Sequence, residues 1–98
     1  MRKERLEKII TRTAKEFEVC PLLILSKDGS RPITKARAVV AFLLKDELST
    51  AQISSLLGRK NSNYKRACVA KVYAKSLEDH DYNMKVLKLS EEFGVRWN

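Results

Sequence analysis

Along residues 3–18, Leu6, Ile9, Ile10, Thr13, Ala14 and Phe17 recur on one face, while Glu and Lys fill the other. That spacing predicts an amphipathic helix. The following run, residues 21–26 (PLLILS), is apolar without a clear period. Pro21 suits the first turn of a short buried helix, and a strand would fit the same run. Residues 27–32 (KDGSRP) are rich in turn formers and predict a loop.

Thr34 can then cap a helix over residues 35–47, whose broad apolar face is Ala36, Val39, Val40, Leu43 and Leu44. Ser49 can cap another over residues 50–57, with Ile53, Leu56 and Leu57 inward. Gly58 should end it, because the turn needs a left-handed residue and glycine adopts that conformation freely. The next helix starts near Asn61 or Ser62 and runs to about residue 76, with Tyr64, Ala67, Cys68 and Val72 as its inner stripe. The acidic cluster Glu78, Asp79 and Asp81 marks a break. A last helix over residues 82–93 uses Tyr82, Val86, Leu89 and Phe93, and Gly94 can terminate it. There is no repeat, linker or low-complexity tract. The pattern predicts one all-α domain over residues 1–98 with five or six helices.

The most informative stretch is residues 48–75. From residue 59 to residue 75 it carries six cations (Arg59, Lys60, Lys65, Arg66, Lys71, Lys75) and no acid. A short helix, a glycine turn and a cationic second helix are the layout of a helix-turn-helix DNA reader. With Tyr64, Ala67 and Cys68 inward, Ser62, Asn63, Lys65 and Arg66 should face out. Asn can pair two ways with adenine, and Arg or Lys with guanine. Asn61 could cap its own helix or touch a base. Lys71 and Lys75 lie further along, near phosphates or in solvent. A second basic segment carries Lys27, Arg31, Lys35 and Arg37, with Asp28 its only acid.

Charge supports this reading. Twenty Lys and Arg against twelve Asp and Glu give +8, which favours a polyanionic partner. Other chemistry is thinly represented. Cys20 and Cys68 stand alone in apolar stretches, without zinc spacing, and read as buried reduced thiols. His80 sits among acids that lack the ligand spacing of a calcium loop. One histidine and no nucleophile elbow give no basis for a hydrolase, so no enzyme, cofactor or metal is expected. The first residues are charged rather than signal-like and no apolar run reaches membrane length, which points to the cytosol. Trp97 could dock on the core or anchor a dimer partner.

Residues 13–72 resemble the C-terminal DNA-binding domain of the bacterial chromosomal replication initiator DnaA, a Trp-repressor-like helical fold. In that family a Leu-Leu-Ser-Lys-like segment leads into a basic loop and then an Arg-Pro-Arg start to a long helix. Here stand Ile24-Leu25-Ser26-Lys27, then Arg31, then Lys35-Ala36-Arg37. The family's second helix of the motif begins Gly-Arg-Asp-His-Thr-Thr-Val and continues to a His-Ala pair. This chain has Gly58-Arg59-Lys60-Asn61-Ser62-Asn63-Tyr64, then Arg66-Ala67. The resemblance implies a minor-groove role for Arg31, with Lys35 and Arg37 matching the pair at the helix start. The base-reading Asp-His-Thr-Thr is replaced by Lys60-Asn61-Ser62-Asn63, so the initiator's own target sequence does not carry over. The Gly-rich phosphate loop of its ATPase part is absent from these residues.

The expected function is sequence-specific binding of double-stranded DNA through Arg31, Lys35, Arg37, Arg59, Lys60, Asn61, Ser62, Asn63, Lys65 and Arg66. The chain would be a small transcription regulator or replication-accessory factor, as a monomer or homodimer. The alternative is a helical protein-interaction module that docks an acidic partner through the last helix or Trp97. RNA fits less well, because the aromatic residues sit at core spacing rather than on a stacking platform.

Overall fold

A computed structural model of the chain describes residues 3–27, 29–59 and 63–97. Among them are six helices and no strand: α1 (Lys3–Glu16), α2 (Pro21–Ile24), α3 (Arg31–Leu43), α4 (Thr50–Leu56), α5 (Tyr64–Glu78) and α6 (His80–Phe93). The short run at residues 21–24 is therefore helix rather than strand, with Pro21 in its first turn, where a missing N–H costs nothing.

α3 is the centre of the fold. Every residue from 36 to 45 is buried, so this helix is enclosed on all sides rather than on one stripe. α1, α2, α5 and α6 all pack on it. Their contributions to the shared core include Ile9, Ala14, Ile24, Val72, Val86 and Leu89, with Ile53 and Leu57 added from α4 and its end. Behind α3, Phe42, Tyr73 and Trp97 form an aromatic triad with centroids 5.4–5.6 Å apart, and the Tyr73 hydroxyl donates to the Trp97 carbonyl. Trp97 thus docks on the core.

α3 begins four residues earlier than the pattern suggested, at Arg31 rather than Lys35. Pro32 sits in its first turn, and the Thr34 amide donates to the Ser30 carbonyl at 2.9 Å, so Ser30 and not Thr34 is the cap residue. Arg31 is therefore a helix residue, not a loop residue. Arg37 lies three and seven residues before Val40 and Leu44 and is buried with them, wherever the helix starts. Arg37 is 1% exposed, which removes it from any DNA surface. Its Nε donates to the Ile24 carbonyl at 2.9 Å, and its Nη2 to those of Leu23 (3.0 Å) and Ser26 (2.9 Å). A four-residue helix cannot satisfy its own last carbonyls, so the buried guanidinium closes α2 and fixes it to α3.

The sequence also places Cys20 wrongly in the interior. As the extended residue ahead of Pro21 it is exposed, whereas Cys68 is buried.

Three helices end in the same way. After α4, the Arg59 amide reaches back to the Ser54 carbonyl (2.7 Å) and the Gly58 amide to that of Ser55 (3.3 Å). Gly58 has φ +65, as a Schellman closure requires. Gly94 plays that part after α6, with the Val95 and Gly94 amides bonded to Ser90 and Glu91. After α1 the left-handed residue is Glu18, at φ 56, which is a conformation costly for a side chain with a Cβ.

Arg37→Met should destabilise the protein by roughly 2–4 kcal/mol in urea denaturation, because three carbonyls at one helix end lose a charged donor. An unchanged midpoint would mean the clamp carries no weight. Gly58→Val should cost roughly 1–3 kcal/mol through backbone strain, since beyond its chain neighbours no atom of the described residues lies within 4 Å of an added Cβ. Glu18→Gly should raise the melting temperature for the same reason, and equal melting of parent and variant would contradict it.

Candidate nucleic-acid interface

The interface is built around the outer face of α5. Its buried side chains are Cys68 and Val72, with Tyr64, Ala67, Val69 and Tyr73 half-buried beside them. That leaves Asn63, Arg66, Ala70, Ala74 and Leu77 along one exposed ridge, at the three- and four-residue steps of a helix. The ridge is polar and cationic at its start, and low in the middle, where two alanines let another surface approach the backbone. α3 and α4 contain no acid, and the only acid in α5 is its last residue, Glu78.

A groove runs along each side of this ridge. The first, of about 520 Å³, lies between α5, the end of α3 and the start of α4, and its lining includes Thr50, Lys65, Arg66 and Tyr73 together with the buried Lys45 and its partner Asp46. The second, of about 370 Å³, lies between α5 and the start of α3. Arg31, Lys35, Lys71 and Lys75 face it over a floor of Ala38, Ala74 and Tyr82. Cations far apart in sequence are thereby gathered on one side of the molecule.

Ion pairing distinguishes this side from the α1–α6 seam. There, Arg12 pairs with Glu92 (2.8 Å) and Glu16, Lys88 with Glu16 (3.5 Å), and Lys85 with Asp81 (3.4 Å). Arg5 pairs with Glu47 (2.6 Å) and donates to the Phe93 carbonyl. Around α5, Lys75 lies 4.0 Å from Asp79 and Lys45 2.9 Å from Asp46. Among the described residues no acid comes within 4.0 Å of Arg31, Lys35, Lys65, Arg66 or Lys71.

The anticipated contact residues fall into several groups. Asn63 and Arg66 are exposed on the ridge, and Arg31 and Lys35 are exposed on the second groove. Lys65 is not fully outward: it is half-buried, and its Nζ donates to the Leu48 carbonyl at 3.0 Å. This bond ties the start of α5 to the segment before α4 and makes Lys65 a positioning residue that still lines the first groove. Arg59 is half-buried, with its Nε enclosed and without a hydrogen-bond partner among the described residues. Lys60, Asn61 and Ser62 lie outside the described residues. α5 begins at Tyr64, later than the sequence suggests. Arg37 is internal, as described above.

Sequence reading missed Lys45 and Thr50, which only the α3–α4 connection brings to the surface of α5. It also left Lys71 and Lys75 without a partner surface. Their one-turn spacing was visible, but the matching pair Arg31 and Lys35 comes from a helix whose start was misplaced.

Under the ridge, burial is the main cause that pushes the pKa values of the Tyr64 hydroxyl and the Cys68 thiol up. Neither is charged near neutrality, so α5 rests on a neutral inner face. At the other end of the helix, Asp79 accepts from the Tyr82 amide at 3.1 Å, and that hydrogen bond holds its carboxyl below the usual carboxylate range. Among the described residues no group of three or more His, Cys, Asp or Glu could hold a metal ion. No helix among them is long and apolar enough to cross a membrane.

No protein-family model matches this chain, and no curated protein matches it. Its function therefore has to be read from the site.

The docking of α5 can be checked through its thiol. In a native titration with a disulfide reagent at pH 8, Cys20 should react quickly and Cys68 only with unfolding, because Cys68 is both enclosed and held as the thiol. Two equally fast thiols, or a fast phase that survives Cys20→Ser, would contradict this packing.

Proposed function

We propose that this chain binds double-stranded DNA with sequence preference, α4 and α5 acting as a helix-turn-helix and α5 as the helix that enters the major groove. One observation carries the reading: cations from α3 and α5 line both flanks of a low helix ridge that itself holds no acid, with Asp46 and Glu78 the one acid in each groove. A duplex is a polyanion with a groove wide enough to admit a helix, and it fits a convex ridge with cationic shoulders. Asn63 and Arg66, at the start of the ridge, are placed to read base edges. The remaining cations would meet phosphates.

The connection between α4 and α5 spans residues 57–63, longer than the three or four residues of the usual turn. The Schellman closure at Gly58 and the Lys65–Leu48 bond both support a defined approach of the second helix despite that length. The likeness to the replication initiator's DNA-binding domain favours the same function, with a different target. The chain would serve as a small regulator or replication-accessory factor, as a monomer or homodimer. Protein docking through Trp97 is less favoured, since that ring is engaged with Phe42 and Tyr73.

Selection from a random duplex pool should enrich a motif. If roughly 4–6 phosphates are neutralised, log K should fall against log salt with a slope of about −4 to −5. Asn63→Ala and Arg66→Ala should each cost roughly 1–3 kcal/mol on the selected site and much less on random duplex. A flat salt dependence, or an unchanged ratio of selected to random affinity in both variants, would remove this reading.

A further inference from the structure

The second groove has a chemistry of its own. Arg31 and Lys35 are one turn apart on α3, and Lys71 and Lys75 are one turn apart on α5. All four line the same groove. Side chains at such spacing share a helix face, so two short rows of cations border one channel. Ala38 and Ala74 keep the channel open, and Tyr82 closes its floor, with the Lys35 ammonium 5.8 Å from the ring centroid. Glu78 is the one acid among the lining residues. Arg31, Lys35 and Lys71 have no acidic partner within 4.0 Å among the described residues, and Lys75 reaches Asp79 only at that limit.

We infer that this groove is a phosphate track: one strand of the bound duplex runs its backbone between the start of α3 and the second half of α5. The inference rests on the duplex-binding reading above and adds which strand-holding surface it uses. Two features favour a DNA backbone over a small anion. The groove is open along its length rather than enclosed, and it lies directly beside the ridge that begins with Asn63 and Arg66. A helix in the major groove necessarily carries a strand along each flank, and this flank supplies cations one helical turn apart on both of its walls. Arg31 then acts together with Lys71 and Lys75, as part of one continuous surface, rather than as a separate arm. These contacts fix register and affinity and carry no base preference.

The test uses the full chain and anisotropy titrations on the selected and the random duplex over a range of salt. Ala74→Glu places a negative charge in the groove. Met84→Glu makes the same charge change on α6, at a residue that is 51% exposed and lines neither groove. Ala74→Glu should weaken both duplexes alike, on the order of tenfold at low salt, and Met84→Glu should have little effect. The double variant Lys71→Ala/Lys75→Ala should reduce the salt slope by about 2 without changing the ratio of selected to random affinity. Melting curves on each variant report folding, and the double variant decides if Ala74→Glu does not fold. Equal effects of the two Glu variants, or a double variant with the parent slope, would overturn the phosphate track while leaving duplex binding in place. A parent chain that binds no duplex would remove both.

Discussion

Enclosure of α3 is the constraint on which the other helices depend. Because its buried run from residue 36 to residue 45 has no solvent-facing side, α1, α2, α5 and α6 must all find their apolar stripes a place on its surface. Arg37 is the one charged side chain within that run that bonds across to another helix. Its guanidinium satisfies the carbonyl end of α2, so a four-residue helix persists where its own backbone bonding would be insufficient. With α5 seated on α3 by Cys68 and Val72, the opposite side of α5 carries the exposed residues Arg66, Ala70, Ala74 and Leu77.

Charge is distributed to match. The seam between α1 and α6 matches acids to bases, while α3, α4 and nearly all of α5 are free of acids. A net charge of +8 is thus concentrated rather than averaged over the surface. Such a field would draw a polyanion to the α5 side before any base is read, and it would be screened by salt over about 8–10 Å. Affinity and preference are then separable in the structure: the grooves hold cations, and the start of the ridge holds the side chains able to distinguish bases.

Most of the fold was legible from spacing alone. The apolar stripes of α1, α5 and α6 were read correctly, because the 3.6-residue period is legible wherever a helix has one wet face, and the broad apolar face read for α3 was part of a wholly buried run. The ends at Gly58 and Gly94 were also readable, since a left-handed residue there leaves few alternatives. The errors cluster at helix starts. Treating residues 27–32 as loop hid the N-terminal signal of Pro32 and put Arg31 in the wrong element, whereas Arg37 was assigned outward on its charge although its spacing from Val40 and Leu44 already placed it inward. Cys20 was misplaced because an apolar neighbourhood says nothing about a residue that precedes a proline. Asn63 and Arg66 followed from the inner stripe of α5 and were legible. Lys45, Lys71 and Lys75 could not be assigned to grooves without the packing of α3 against α5.

The central claim is that one face, centred on the ridge of α5, meets the duplex. It is tested most directly by amide chemical-shift mapping of the labelled chain during titration with a selected duplex. The account predicts that the largest changes fall at Asn63 and Arg66, along α5 to Lys75, and at Arg31 and Lys35, with α1 and the outer face of α6 little affected. Changes concentrated instead on α1 and α6, with α5 unmoved, would contradict it.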